Sequence, residues 1–269
     1  MPASALMNIM TRAVRKAGRR LVRDFGEVEQ LQISVKGPGD FVSQADLAAE
    51  EILFEELSAG RHGYGFIMEE RGLVEGSDKS HRWIVDPLDG TTNFLHGLPH
   101  FAISVGLERQ GEMVAAIVYN PVTDELFSAE KGGGAFVNDR RMRVAGRRRI
   151  GDCVFATGIP HANKPGLHKR AIVEIATLMP QVAGIRRFGS AALDLAFVAA
   201  GRFDAFWERG LRPWDIAAGM LLVTEAGGIT TDALGRRKKE FETGSVLAGN
   251  ADVHDALRKV LDGVQVSQD

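Results

Sequence analysis

Cysteine is almost absent: Cys153 stands alone in 269 residues. One thiol closes no intrachain disulfide and builds no cysteine-based zinc cluster, so a reducing compartment is expected, with the cytoplasm as the location. Long apolar runs are missing as well. No stretch approaches the roughly 18 residues of a transmembrane helix, and no membrane span is expected. Nor is there an excess of one charge: 33 Lys and Arg stand against 35 Asp and Glu, for a formal net charge of -2. No global basic field advertises nucleic acid or an anionic membrane. Repeats, low-complexity tracts and flexible linkers are lacking too. What remains is 45% hydrophobic, enough to bury a large core in one large domain or two intimate halves.

The first acid comes late. Arg12, Arg15, Lys16, Arg19, Arg20 and Arg23 all precede Asp24, as in an organelle transit peptide. Yet Leu6, Ile9, Met10, Ala13, Val14, Ala17, Leu21, Val22 and Phe25 keep a helical period behind a capping Ser4, so a core-facing first helix is the preferred reading. A strand over Leu31–Val35 should follow, broken by Gly37-Pro38-Gly39. A helix over Ser43–Leu57 should come next, opened by Ser43 and Asp46 as a capping box. Short strands are expected at Tyr64–Met68 and Trp83–Val85. Phe101–Arg109, Met113–Tyr119 and Glu125–Ala129 should form an antiparallel meander. Beyond Arg147-Arg148-Arg149 the style changes. Strands at Cys153–Thr157, Gly184–Phe188, Phe203–Trp207 and Val246–Ala248 alternate with helices near 165–179, 190–200, 213–226 and 251–262. Residues 1–145 thus read as an α+β half and 146–269 as an α/β half, with a shared cleft between them.

The densest chemistry is Asp86-Pro87-Leu88-Asp89-Gly90-Thr91. It follows the apolar run Trp83-Ile84-Val85, and Pro87 and Gly90 are expected to end regular structure there. A tight turn at that point aims two carboxylates and the Leu88 carbonyl at one place, as a hard divalent cation requires. Taken alone, an Asp-x-x-Asp turn is more often a capping or loop motif than a metal site, and it is the other acids in order that favour the metal. Other acids mark the ends of elements as well: Glu69-Glu70 follows the strand Phe66-Ile67-Met68, and Asp215 falls in the first turn of a helix begun by Pro213, where the helix dipole favours a carboxylate. Four such acids in one cleft would repel each other and any phosphate, and paired divalent cations would reverse both effects.

Glu69-Glu70, Asp86-Pro87-Leu88-Asp89-Gly90-Thr91-Thr92-Asn93-Phe94, Trp214-Asp215-Ile216-Ala217-Ala218-Gly219 and Glu225-Ala226-Gly227-Gly228 closely resemble the motifs of the inositol monophosphatase family, in consistent order from about residue 30 to 250. The resemblance implies an αβαβα layered sandwich like that of fructose-1,6-bisphosphatase, usually dimeric. It also implies a lithium-sensitive phosphatase that needs two or three Mg2+ ions and hydrolyses inositol 1-phosphate or a similar polyol phosphate. Glu69, Asp86 and the Leu88 carbonyl would hold one ion, and Asp86, Asp89 and Asp215 another. Glu69 with Thr91 would activate water, and Asp46 would support Thr91 by a hydrogen bond. Gly90 and Thr91 would offer phosphate donors, while Gly189, Ser190, Ala191 and Glu208 would contact the alcohol, with Asp89 and Asp215 nearby.

Two departures from the family pattern stand out: Met68-Glu69-Glu70-Arg71 for Gly-Glu-Glu-Ser, and Asp40-Phe41-Val42-Ser43 for Asp-x-Val-Thr. Arg71 would weaken an auxiliary metal or touch substrate, and Lys36 would also reach the site. Plainer readings apply elsewhere. His96 and His100 belong on a surface loop, Trp214 in the core, and Glu70 in solvent or at the site. Gly132-Gly133-Gly134 reads as a hairpin turn, and the arginine runs as solvated turns. Fructose 1,6-bisphosphate, histidinol phosphate, nicotinamide dinucleotide phosphate and 3'-phosphoadenylate are alternative substrates within the same fold. A phosphoaspartate mechanism fits less well, because two residues rather than one separate Asp86 from Asp89. A non-catalytic role as a partner of the transcription machinery stays open on the arginine-rich turns.

Overall fold

Ser4 accepts a hydrogen bond from the Met7 amide and starts helix α1 (Ala5–Phe25) in the computed structural model. The structure describes residues 4–27, 33–37, 40–160, 164–238 and 240–265, with backbone only at 33–37, 40–42 and 165. The expected strand start at Leu31 and the side chains of Lys36 and Asp40 therefore lie outside the described parts. The apolar stripe of α1 puts Met10, Val14, Ala17 and Leu21 fully inside. Each larger side chain so buried contributes about 1.5–3 kcal/mol.

Strands β1 (Ile33–Gly37) and β2 (Asp40–Ser43) form an antiparallel hairpin, of which the second strand was not expected. Helix α2 (Gln44–Gly60) opens with the expected capping box: Asp46 accepts from the Ser43 amide at 2.9 Å and Ser43 Oγ receives the Ala45 amide at 3.1 Å.

Next come β3 (Tyr64–Met68), β4 (Gly72–Val74) and β5 (Asp78–Asp89), then the short helix α3 (Thr91–Leu95). β5 is much longer than Trp83–Val85. It continues through Pro87 to Asp89, which corrects the expectation that proline ends the strand. The ladder with the following strand skips from Asp86 opposite Ser104 to Asp89 opposite Ala102. Pro87 and Leu88 sit in that bulge, where no ladder hydrogen bond is asked of the proline nitrogen.

The meander follows as β6 (Ala102–Arg109), β7 (Glu112–Asn120), β8 (Glu125–Glu130), β9 (Gly134–Val137) and β10 (Arg140–Arg141). These strands complete an eight-stranded sheet ordered β10-β9-β8-β7-β6-β5-β3-β4.

The later residues supply β11 (Val154–Thr157), α4 (Pro165–Leu178), β12 (Gly184–Arg186), α5 (Ala191–Ala199) and β13 (Ala205–Arg209). They continue with α6 (Pro213–Glu225), β14 (Ile229–Thr231), α7 (Glu240–Thr243), β15 (Ser245–Gly249) and α8 (Ala251–Asp262). The second sheet runs β12-β11-β13-β15-β14, with parallel pairs around β11 and antiparallel pairs around β15. β14 and α7 were not foreseen. The strand expected from Phe203 begins at Ala205.

Helices α1 and α2 cover one face of the large sheet. Helices α5 and α6 fill the space between the two sheets, and α4 and α8 close the far face. The molecule is therefore an αβαβα sandwich. The middle helices are apolar nearly all round, as burial between two sheets requires: Ala192, Leu193, Leu195, Ala196, Ile216, Ala217, Ala218 and Leu222 are all fully buried. Their N-terminal ends point Ser190 and Asp215 toward the bulge in β5, and this places the site.

Candidate active site

Several element ends meet in a cleft of about 130 Å3, lined by Glu69, Asp86, Leu88, Asp89, Gly90, Thr91, Gly158, Arg187, Gly189, Ala191, Glu208 and Asp215 among others. Each acid is delivered by the backbone. The Glu69 amide bonds the Val85 carbonyl at 3.3 Å, which extends the parallel pairing of β3 with β5 and sets Glu69 beside Asp86. Asp86 and Asp89 flank the bulge, and the Leu88 amide turns back onto Asp86 Oδ1 at 2.9 Å. Asp215 caps α6 by accepting from the Arg212 amide at 2.7 Å, with Pro213 as the first helical residue.

Asp89 joins the large sheet to the middle layer. Its Oδ2 accepts from Ser190 Oγ at 2.6 Å and from the Ala192 amide at 2.7 Å. Ser190 is itself buried and caps α5, so it stands behind Asp89, while Gly189 and Ala191 line the cleft. Thr91 Oγ1 lies 3.1 Å from Asp46 Oδ1 and 3.1 Å from the Leu88 carbonyl, its one proton shared between them. Asp46 is fully buried and does not itself line the cleft, which it meets through this hydroxyl. Gly90 has φ 96°, and a methyl group there would stand 3.1 Å from the His100 carbonyl and 3.3 Å from that of Gly189. Both conformation and space demand glycine at this turn.

The electrostatics are one-sided. Burial pushes Asp86 well above the usual carboxylate range, and Glu69, Asp89 and Asp215 add to the rise. Burial likewise raises Asp89 to about 6, and burial with the Asp89 charge raises Asp215 to about 8. Glu208 is pushed up to about 8 by burial, then by Asp215 and Asp89. Arg187 is the one cationic side chain among the described residues lining the cleft, and it opposes the rise at Glu208. The donor set is all oxygen and short of positive charge, the chemistry that suits a hard divalent cation. Among the described residues no three acids, histidines or cysteines are already drawn up as a closed metal-holding group. The carboxylates fit such an ion by type and mutual influence.

Several plainer expectations are settled by position. Arg71 turns away from the cleft: Nε lies 3.4 Å from Glu50, the guanidinium pairs with Glu51, and it stacks 4.6 Å over Phe54. Glu50 in turn accepts from the Glu70 amide at 2.8 Å, so this departure from the family pattern braces the Glu69-Glu70 turn from α2. Glu70 is half-buried. Glu225 accepts from the amides of Gly132 and Gly134, both at 2.8 Å, so the triple glycine is a hairpin turn held by a carboxylate. His96 is exposed, but His100 corrects the surface-loop reading: it is half-buried against Phe188 and Phe197. Trp214 is likewise half-buried rather than core, and its carbonyl accepts from Ser104. Arg147, Arg148 and Arg149 are paired with Asp204, Asp252 and Asp152, which neutralises that run locally.

Sequence reasoning missed Gly158 and Arg187, which lie in no motif. It also gave no role to Asn93, whose Nδ2 donates to the carbonyls of His100 at 2.7 Å and Phe188 at 2.8 Å and ties the motif loop to the second sheet's side.

Comparison with known proteins bears on the family and the fold. The model of the inositol monophosphatase family matches residues 3–265. A Mesorhizobium japonicum protein named inositol-1-monophosphatase is 60% identical over 261 residues, 97% of each chain. The Nus factor SuhB of Pseudomonas aeruginosa is 43% identical over 94% of each chain. The crystal structure of the extragenic suppressor protein suhB from Bartonella henselae superposes with a TM-score of 0.94 at 56% identity, covering 97% of this chain and all of that one. With the motifs in order, the five layers in place and the acids gathered at the bulge of β5, this chain belongs to the inositol monophosphatase family.

Proposed function

We propose that the chain is a magnesium-dependent phosphate monoester hydrolase acting on inositol 1-phosphate or a similar polyol phosphate. The observation that carries this reading is the electrostatic convergence of Glu69, Asp86, Asp89 and Asp215 in one cleft beside Thr91. Glu69, Asp86 and the Leu88 carbonyl would hold one ion, and Asp86, Asp89 and Asp215 a second. When bound, Mg2+ would supply Lewis acidity toward a phosphoryl oxygen and lower the pKa of water, so that it gives up a proton more readily. The protein does the rest. Glu69 and Thr91 orient the water and take up its proton, and Asp46 fixes the Thr91 hydroxyl from behind. Gly90 and Thr91 present backbone N–H groups to the phosphate. Glu208, with Gly189 and Ala191, meets the hydroxyls of the alcohol. Two copies are expected to associate, which sedimentation checks.

A phosphate-release panel over polyol, sugar and nucleotide monoesters tests the proposal. Release should be greatest with inositol 1-phosphate, require magnesium and fall with lithium. Activity undiminished by chelation would overturn it, and preference for a nucleotide or sugar bisphosphate would move the substrate to another branch of the fold. A second reading, partnership with the transcription machinery, is carried by the 43% identity to a Nus factor. Binding of RNA polymerase by the inactive Asp89→Asn variant would support it as a separate role, and no binding by either form would remove it.

A further inference from the structure

Glu208 has room in the cleft only because residue 158 has no side chain. A methyl group on Gly158 would stand 1.9 Å from Glu208 Cδ and 2.0 Å from each carboxylate oxygen, far inside any van der Waals contact. The backbone does not ask for glycine here: Gly158 is absent from the positive-φ residues, so an alanine meets no conformational obstacle. The close approach is built into the sheet. Thr157, the last residue of β11, pairs with Trp207 of β13, and its hydroxyl donates to the Trp207 carbonyl at 2.7 Å. This lock holds the next residues, Gly158 and Glu208, side by side at the cleft wall, and both line it.

The Glu208 side chain is seated by shape rather than by bonds. Among the described residues it makes no hydrogen bond or ion pair, so its oxygens stay available to a ligand. Around it stand Asp89, Asp194 and Asp215, whose charges repel it, and Arg187 and Lys164, whose charges attract it. None of these fixes one rotamer by contact; the floor that does is the bare Cα of Gly158.

We propose that Gly158 is a positioning residue for substrate selection: its missing side chain is the seat that aims the Glu208 carboxyl at a hydroxyl of the alcohol. This rests on the reading of Glu208 as the hydroxyl contact. Glycine at 158 then sets which polyol phosphates are preferred without itself touching the phosphate or the metal-holding acids.

The test compares the unaltered enzyme with Gly158→Ala, Glu208→Ala and the double variant. Each is assayed for kcat and KM on inositol 1-phosphate and on deoxy analogues lacking single ring hydroxyls, with melting temperature and magnesium dependence measured in parallel. Gly158→Ala should lower the preference for the full polyol by about tenfold, mostly through KM, because one misplaced polar contact is worth about that factor. Its magnesium dependence should not move. In the Glu208→Ala background the same change should add less than about twofold, since no Cδ is left to collide; such non-additivity marks direct contact. If Gly158→Ala fails to fold, the double variant should fold, and that rescue supports the collision equally. A double variant as unfolded as the single one would overturn the proposal. So would unchanged preference in a folded Gly158→Ala, or additive losses. Should Glu208→Ala itself leave all preferences unchanged, the reading of Glu208 falls and takes this proposal with it. A shift in Glu208→Ala but not in Gly158→Ala refutes the positioning role alone.

Discussion

Replacing Asp89 by asparagine and by alanine separates what this carboxylate does for chemistry from what it does for the fold. Its Oδ2 receives Ser190 Oγ and the Ala192 amide, while the side chain also lines the cleft. Asparagine keeps an oxygen for the two donors and turns an NH2 toward the cleft, where a cation would meet a donor in place of a charged ligand. Turnover should fall about a thousandfold, or about 4 kcal/mol of transition-state stabilisation, as for loss of one preorganised electrostatic group. The fold should barely respond: two charge-assisted hydrogen bonds weaken to neutral ones, and relief from burying a charge, the main cause of the raised Asp89 pKa, with relief from Glu69 repulsion, offsets them. Alanine gives the same loss of turnover but strands a buried hydroxyl and a buried amide. At about 1–3 kcal/mol for each of the two unsatisfied groups, the melting temperature should drop by roughly 4–24 °C, taking about 2–4 °C per kcal/mol for a chain of this size. Steady-state kinetics with magnesium titration and calorimetry read both effects. An asparagine variant with more than about a tenth of normal turnover would remove Asp89 from the machinery, since loss of a single oxyanion donor already costs 10²–10³. Equal melting of the two variants would refute its bridging role.

Three further changes test the surroundings. Glu225→Ala should cost about 1–3 kcal/mol in stability, since it strands the buried amide of Gly134, while the exposed amide of Gly132 turns to water. Its kcat should stay near normal, and a selective loss of turnover with unchanged melting would contradict this. Arg71→Ser removes the cation from beside the buried Glu50 and from over Phe54. With a guanidinium about one-third exposed, the loss should be about 1–2 kcal/mol, accompanied by weaker magnesium dependence from a looser Glu69-Glu70 turn; no change in either would leave Arg71 a surface residue. Asp194 is buried, its Oδ1 has no hydrogen-bond partner among the described residues, and burial with Glu208 and Asp89 raises its pKa well above the ordinary value of 3.8. Because the folded pKa exceeds the unfolded one, stability is full below about pH 4 and is lost as pH rises toward the folded pKa. Asp194→Asn should therefore melt progressively higher than the unaltered protein as pH is raised from 4 to neutrality, and a constant difference across that range would show that the carboxyl does not titrate with folding.

Much of this was legible in the sequence wherever local rules and tertiary demands agree. The capping box at Ser43 and Asp46, the proline start of α6 and the helical period of α1 each need only a few neighbouring residues to be recognised. The failures share a cause. Pro87 looked like a strand ender because a proline forbids a ladder bond, yet the ladder skips that residue, and only the partner strand reveals the skip. β2 and β14 are short strands whose identity rests on pairing with β1 and β15, which leaves no periodicity to read. Arg71 offered a charge without a direction. Its destination depends on Glu50, Glu51 and Phe54 one helix away, and no spacing rule ties residue 71 to them. Gly158 was silent for the opposite reason: its importance is an empty volume, defined by a side chain fifty positions later.

The positions of the acids also explain why such an unfavourable cluster persists in a stable fold. Three carboxylates of the cleft receive hydrogen bonds from a backbone amide or hydroxyl at an element end: Asp86 from Leu88, Asp89 from Ala192 and Ser190, and Asp215 from Arg212. Those amides belong to a bulge and to two helix starts, and they are free to point at the cleft because no ladder or earlier helical turn claims them. The helices that provide them, α5 and α6, are clamped between two sheets by fully buried alanine and leucine side chains, so the acids cannot relax their repulsion by moving apart. Burial of the middle layer thus holds the charge together, and the remaining imbalance is what a divalent cation would neutralise. Loosening that layer, for example by Leu195→Ala beneath Gly219, where a methyl group would stand 2.5 Å from Leu195 Cβ, should cost about 2–5 kcal/mol of stability. It should also weaken magnesium dependence of turnover, although Leu195 is not among the residues that line the cleft. Magnesium dependence that stays fixed while stability falls would show that the bulge and helix caps alone set the site.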